Sequence, residues 1–239
     1  MKPIFCAHRG VSALMPENTL PAFAAALALG ADEIEFDVRE TKDHRLIVSH
    51  DGNLERICGS VGMLQEMSLE ELRRVNIGKN HGWQVSFCTP EEVFAHLANR
   101  ITFNIHVKEA GEDGWILREL EALIDRYGAR NTAYFAGTHD ILSKMCRYTP
   151  SVPRTAIQHP KDTVGIYEMA TEFGCGRVQF WLGRFDRDVI ERLHADGILC
   201  NLFHAENAEE FAQYTDMGID VLLTNRMDLA SAWREENAR

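Results

Sequence analysis

Eight short apolar runs, each followed in turn by an amphipathic stretch of helical period, constrain this 239-residue chain more than any other feature. Strands are predicted at Pro3 to His8, Ala31 to Val38, Ile101 to Val107, Asn131 to Ala136, Pro153 to Ile157, Arg177 to Phe180, Ile198 to Phe203 and Asp220 to Thr224. Helices are predicted at Asn18 to Gly30, capped by Asn18, then at Pro90 to Ala98, Gly114 to Tyr127, His139 to Tyr148, Asp162 to Phe173, Asp186 to Ala195, Ala208 to Met217 and Asp228 to Glu236. Eight strand-and-helix units in this length suit a closed (β/α)8 TIM barrel, an α/β fold, better than an open doubly wound sheet. The first strand is not followed by the glycine-rich turn of a dinucleotide fold, which points the same way. Residues 1–239 are expected to form one domain. Its irregular stretch is an excursion at about residues 51–88, where Gly59, Gly62, Gly78 and Gly82 punctuate a capped helix at Ser68 to Val75.

The second strand is two-faced. Ile34, Phe36 and Val38 alternate with Glu35 and Asp37, so apolar side chains share one side and carboxylates the other. The next apolar run, Leu46-Ile47-Val48, follows too soon for a parallel crossover, and the two segments are predicted to pair as an antiparallel hairpin. With the turn near Asp43, position 37 faces position 49 and His50 lands close to Asp37. The strand at 101 repeats the division: Ile101, Phe103, Ile105 and Val107 lie on one face, Thr102, Asn104, His106 and Lys108 on the other. Under a coat of helices the apolar face packs outward, so the polar face points into the lumen. Barrel interiors are ordinarily filled with Val, Ile and Leu. Inward-facing Glu35, Asp37, His106 and Lys108 are therefore costly unless they compensate one another or hold an ion. Taken alone, residues 33–51 also fit a solvated edge hairpin; the second two-faced strand argues for a site.

The rest of the chain is acidic, with 25 basic and 36 acidic residues and a net charge of −11. That excludes nucleic acid bound through a broad positive surface, and an anionic substrate needs a local positive centre. No stretch reaches the roughly 18 apolar residues of a membrane span. The N-terminus runs into a strand without a signal region, so a cytoplasmic protein is expected. The six cysteines lack metal-type spacing and are expected to be buried thiols in a reducing compartment.

Two carboxylates and an imidazole converging from separate strands make a divalent-cation site, here Glu35, Asp37 and His106. Lys108, on the face of His106, and Arg9 supply the positive field that suits one phosphoryl group. His8 and His50, at the C-terminal rim, are candidates for an acid and base pair; either one alone would read as a satisfied core histidine, and the presence of both beside paired acids favours the site.

These residues carry a family resemblance. His8-Arg9-Gly10, Pro16-Glu17-Asn18-Thr19, Glu35-Phe36-Asp37-Val38 and His50-Asp51 resemble the glycerophosphodiester phosphodiesterase family, as do Leu54, Arg56, Gly59, Gly62, Leu69-Glu70-Glu71-Leu72 and Gly78. Thr89-Pro90-Glu91-Glu92-Val93, Asn104 to Lys108, Gly218-Ile219-Asp220 and Thr224-Asn225-Arg226 extend the likeness over nearly the whole chain. The resemblance implies a TIM-barrel hydrolase of glycerol and lipid metabolism that cuts a small-molecule glycerophosphodiester into glycerol 3-phosphate and an alcohol. Carried over by position, His8, His50 and Lys108 are catalytic, Arg9 and Lys108 bind phosphate, and Glu35, Asp37 and His106 hold one Mg²⁺, Ca²⁺ or Mn²⁺. Glu17 and Asp51 are candidates for positions just outside the ligand set, Glu17 fitting a helix cap as well, and Trp181 and Phe203 fit either the leaving-group pocket or plain core packing. The family's usual route, attack by a glycerol hydroxyl to give a cyclic phosphate that water opens, is implied as well.

Two departures stand out. His106 replaces the family's Glu, which removes a negative charge and admits Zn²⁺. Phe203-His204-Ala205-Glu206 stands where the family has Trp-Thr-Val-Asn, which alters the leaving-group pocket. Two other readings use the same residues: a sugar or polyol phosphodiesterase or lyase, and a non-catalytic barrel that binds a phosphorylated ligand. His106 favours the latter; retention of every other inward charge speaks against it.

Overall fold

The computed structural model describes residues 2–111, 113–159 and 164–237. β1 (Ile4–His8) leads through α1 (Leu20–Ala28) into β2 (Glu33–Glu40), which turns back as β3 (Leu46–Val48). The short helices α2 (Glu55–Cys58) and α3 (Leu69–Leu72) belong to the excursion. Alternation then resumes with α4 (Pro90–Leu97), β4 (Thr102–Val107), α5 (Trp115–Arg126), β5 (Ala133–Gly137), α6 (His139–Tyr148), β6 (Arg154–Ile157) and α7 (Ile166–Glu172). It ends with β7 (Arg177–Trp181), α8 (Arg187–Ala195), β8 (Leu199–Phe203), α9 (Ala208–Met217), β9 (Val221–Thr224) and α10 (Met227–Glu236).

β1 pairs in parallel with both β2 and β9, so the sheet closes into the expected barrel of parallel strands. β3 lies outside that ring and pairs antiparallel with β2, Val38 facing Val48. Because β4 occupies the other edge of β2 through Val38, β3 takes over the edge that β1 leaves at Glu35. The chain descending from β3 therefore brings His50 over the C-terminal end of β1.

The pleat divides the core. Phe5, Ile34, Phe36, Phe103, Ile105 and Phe135 face outward into the layer packed under the helices. The lumen holds a smaller apolar set, Cys6, Ala136, Ile157, Phe203, Val221 and Leu223, together with polar groups, some of them paired with one another. Glu33 accepts from Tyr134 Oη at 2.6 Å and from Arg177 Nη1 at 3.0 Å, and Asn104 Nδ2 donates to Gln179 at 2.9 Å. The excursion carries its own apolar cluster, Leu54, Leu64, Leu69, Leu72, Ile77 and Phe87, closed on Ile47 of β3. Among the described residues, no helix is long and apolar enough to cross a membrane.

Two sequence expectations change in detail. Thr19, not Asn18, caps α1, its Oγ1 accepting from Ala22 N at 3.4 Å. Asn18 is drawn into a left-handed turn with φ of 57° by a distant partner, Asp37, described below. The predicted start of the helix at Asp162 lies outside the described residues.

Candidate active site

A cavity of about 490 Å³ opens at the C-terminal ends of the strands, where barrels of this kind place their chemistry. Every residue singled out from the sequence gathers at or around it. His8, Arg9, Glu35, His50, His106 and Lys108 line it, as do Trp181 and Phe203, whose rings lie 4.7 Å apart in an edge-to-face contact. Asp37 does not reach the cavity surface. It lies fully buried behind Lys108 and Arg9.

Strand register explains the convergence. Parallel pairing sets His8 beside Glu35 and Asp37 beside His106, all on the lumen face. One ligand atom from each of Glu35, Asp37 and His106 lies within 4.8 Å of the others. The second oxygen of each carboxylate is already tied to the protein. Glu35 Oε2 accepts from the Arg9 backbone N–H at 3.1 Å, and Asp37 Oδ2 accepts from Asn18 Nδ2 at 2.9 Å. The remaining oxygens turn toward one point, Glu35 Oε1 at 3.7 Å and Asp37 Oδ1 at 3.3 Å from His106 Nδ1. Asp37 Oδ1 is buried and receives no hydrogen bond; Lys108 Nζ, 2.9 Å away, forms an ion pair with it without hydrogen-bond angles. A buried carboxylate oxygen without a donor, beside a second carboxylate and an imidazole, is what a divalent cation requires. The residues present fit such an ion.

Electrostatics separate the two acids. Burial, then the neighbouring charge of Asp37, raises the Glu35 carboxyl above its ordinary value. Burial alone would raise Asp37 too, but Lys108, His106 and Arg9 together hold it well below. His8 is pushed well below the usual histidine value by burial, then by Arg9 and His204. His50 is lowered by burial in the first place.

The cations are held in place. Glu17 Oε1 accepts from Arg9 Nη1 at 3.0 Å and from Arg56 Nη2 at 2.7 Å, and Arg56 also binds Asp51. His50 Nδ1 lies 2.6 Å from Asp51 Oδ1. Glu17 and Asp51 thus touch the cations and the histidine rather than the carboxylate pair. On the other flank His8 Nδ1 lies 2.8 Å from Asn225 Oδ1, and Asn225 Nδ2 donates to Glu206 at 2.7 Å. His204 reaches over the site, its Nε2 3.4 Å from His8 Nε2.

Sequence reasoning assigned no role in the site to Asn18, Arg56 or Asn225, and took Glu206 only as part of the altered leaving-group segment. Asn18 was readable only as a cap, and the other three act through partners distant in sequence. Asn18, Arg56 and Asn225 fall in segments or positions carrying the family likeness, whereas Glu206 falls in the segment that departs from it.

A second cluster of ligand-type residues, His194, Cys200 and Asp220, lies at the opposite end of the barrel. There Asp220 accepts from Cys200 N at 2.7 Å and from His194 Nε2 at 2.9 Å. Asp32 repeats the arrangement, accepting from Phe5 N at 2.9 Å and from Arg234. Both carboxylates satisfy the exposed amide at the start of a neighbouring strand, a structural task.

Comparison with known proteins agrees with this geometry. The sequence profile of the glycerophosphoryl diester phosphodiesterase family matches residues 8–229. The chain is 28% identical over 263 residues to a glycerophosphodiester phosphodiesterase of Bacillus altitudinis, covering 99% of each chain. In fold it is similar to the glycerophosphodiester phosphodiesterase of Agrobacterium tumefaciens, with a TM-score of 0.83, 21% identity, and 96% of this chain and 100% of the other covered. It is equally similar to an Oleispira antarctica phosphodiesterase solved with the product sn-glycerol-3-phosphate, with a TM-score of 0.85, 21% identity and 96% of each chain covered. With the profile spanning the barrel from His8 to the last helix, the chain belongs to the glycerophosphoryl diester phosphodiesterase family.

Proposed function

We propose that this chain hydrolyses a glycerophosphodiester to glycerol 3-phosphate and an alcohol with the help of one divalent cation. The observation that carries this reading is the convergence of Glu35, Asp37 and His106 beside a cavity that also takes Arg9, Lys108, His8 and His50. Family membership and the product named in the Oleispira antarctica complex support the substrate class.

Glu35, Asp37 and His106 would hold the cation, which when bound polarises the phosphoryl oxygens and offsets charge developing on phosphorus. The donor set suits Mg²⁺, Ca²⁺ or Mn²⁺, and the imidazole admits Zn²⁺. Arg9 and Lys108 bind the phosphate, with Glu17 steadying Arg9 and Asp51 steadying His50. A glycerol hydroxyl held beside phosphorus attacks it. Its O–P bond forms as the P–O bond to the alcohol breaks, and water then opens the cyclic phosphate. Of His8 and His50, one takes the hydroxyl proton and the other supplies a proton to the leaving oxygen. Holding the nucleophile on the substrate itself is worth an effective molarity of roughly 10⁵ M or more. Trp181 and Phe203 receive the apolar edge of the leaving alcohol. Asp37, the most deeply buried of the ligands, keeps its negative charge through Lys108 and Arg9.

Phosphorus NMR of glycerophosphocholine incubated with the protein and Mg²⁺, Ca²⁺, Mn²⁺ or Zn²⁺ in turn tests this reading. Glycerol 3-phosphate as the final product is expected. A cyclic phosphate that never opens would make the protein a lyase, and an unchanged diester spectrum with all four ions and related diesters would refute hydrolysis.

A further inference from the structure

The proton inventory around His8 fixes more than its position. His8 ends β1 and Asn225 follows β9, and the pairing of Ala7 with Thr224 sets the two side by side. Which end of the Asn225 amide faces the imidazole is decided on its far side. Glu206 Oε1 accepts the Asn225 backbone N–H at 3.3 Å and lies 2.7 Å from Asn225 Nδ2. An oxygen that already accepts a backbone N–H must face the amino end of the amide. The carbonyl Oδ1 is therefore the end that meets His8 Nδ1 at 2.8 Å, and only a protonated Nδ1 can bond to it. Ser12 Oγ lies 2.6 Å from the same Oδ1 and 2.8 Å from His8 O, and its single proton serves one of these two oxygens. Glu206 is itself anchored, its N–H donating to Glu210 at 2.6 Å while the preceding Ala205 N–H binds Leu223 O at 3.0 Å.

We propose that Asn225, oriented by Glu206, is a positioning residue that holds neutral His8 with its proton on Nδ1, leaving Nε2 bare toward the cavity as the proton-accepting atom. The inference rests on the reading of His8 as one of the acid and base pair. It makes His8 the base. In the first step the glycerol hydroxyl gives its proton to His8 Nε2 as its oxygen bonds to phosphorus, and the departing alcohol oxygen takes its proton from the other histidine, His50. The groups that face Nε2 are Glu35 Oε2 at 3.9 Å and His204 Nε2 at 3.4 Å. Among the described residues Asn225 bonds to His8, Ser12, Ala13 and Glu206 and to none of the cation ligands, so its effect passes through His8.

The test reads the tautomer on resting protein, without substrate or metal, from two-bond proton–nitrogen spectra of ¹⁵N-histidine protein at pH 8. His8 is assigned by loss of its signals in His8→Gln. Wild type should show Nδ1–H. In Asn225→Leu the signals should move to Nε2–H, with kcat down about 10²-fold and KM nearly unchanged. Should Asn225→Leu fold poorly, Asn225→Ala, which removes the acceptor facing His8 without adding bulk, replaces it. The double variant Asn225→Asp with Glu206→Gln keeps an acceptor for His8 and supplies a donor to that acceptor, and should retain the Nδ1–H signal and most of the kcat. Wild-type His8 with its proton on Nε2, or a kcat loss in Asn225→Leu with no change of tautomer, overturns the inference even in an active enzyme. Full turnover in His8→Gln overturns the base role itself, and with it this part of the functional reading.

Discussion

Lys108 Nζ stands 2.9 Å from Asp37 Oδ1, in a pair whose side chains are only 12% and 0% exposed. Removing the lysine would strand a buried carboxylate with Arg9 Nε 3.4 Å from its other oxygen. Lys108→Met should therefore destabilise the fold by about 3 kcal/mol, and adding Asp37→Asn should recover most of it. Urea unfolding of both single variants and the double reads the coupling; simply additive losses would show that the two residues do not act as a pair.

The same ammonium lies 3.0 Å from His106 Nδ1, so it sits against two atoms that would ligate a cation. A positive charge there opposes a second one. Lys108→Met should bind Mn²⁺ more tightly than wild type, by roughly tenfold, while losing turnover through the missing phosphate contact. Titration calorimetry checks the first part and phosphorus NMR the second. Weaker Mn²⁺ binding in the variant would place the ion elsewhere.

His8 and His50 flank the cavity from the end of β1 and from the segment after β3. Replacing either with Ala should lower kcat by about 10² to 10⁴ if each transfers a proton. Initial rates on glycerophosphocholine measure this, and unchanged turnover in both variants would remove them from the chemistry.

Burial, then Arg9, lowers the His204 imidazole to about 4, from an ordinary value of 6.5. The lowered His8 adds to the same effect. As pH drops below about 6.5 the unfolded chain binds protons that the folded one does not, so stability is full above that pH and declines toward pH 4. His204→Gln should flatten this acid slope. Urea midpoints at pH 7.5 and pH 5 for the two proteins test it, and equal slopes would mean that His204 is protonated as easily in the fold as outside it.

Much of this architecture was legible because period and turn length are local. The short connection between Glu40 and Leu46 dictated a hairpin, and the observed register, with Ser49 N bonded to Asp37 O at 3.0 Å, matches the one read from the turn. The alternation at 33–38 and 101–108 likewise marked the lumen face correctly. What escaped were partners brought together only by closing the barrel. Glu33 meets Arg177 across 144 positions, and His8 meets Asn225 across 217. Asn18 was misread because a polar residue before a helix has a local use as a cap, while its actual bond goes to Asp37, 19 positions away. Not every inward charge marks chemistry either: Glu33 is fully satisfied within the barrel, whereas Asp37 keeps an oxygen without a donor.

An anomalous-difference map from crystals soaked in MnCl₂ tests the central claim most directly. A single strong peak within coordination distance of Glu35, Asp37 and His106, lost in Asp37→Asn, is the expected result. A peak bound by other residues, or none at all in crystals of a protein that still turns over its diester with Mn²⁺, would contradict it.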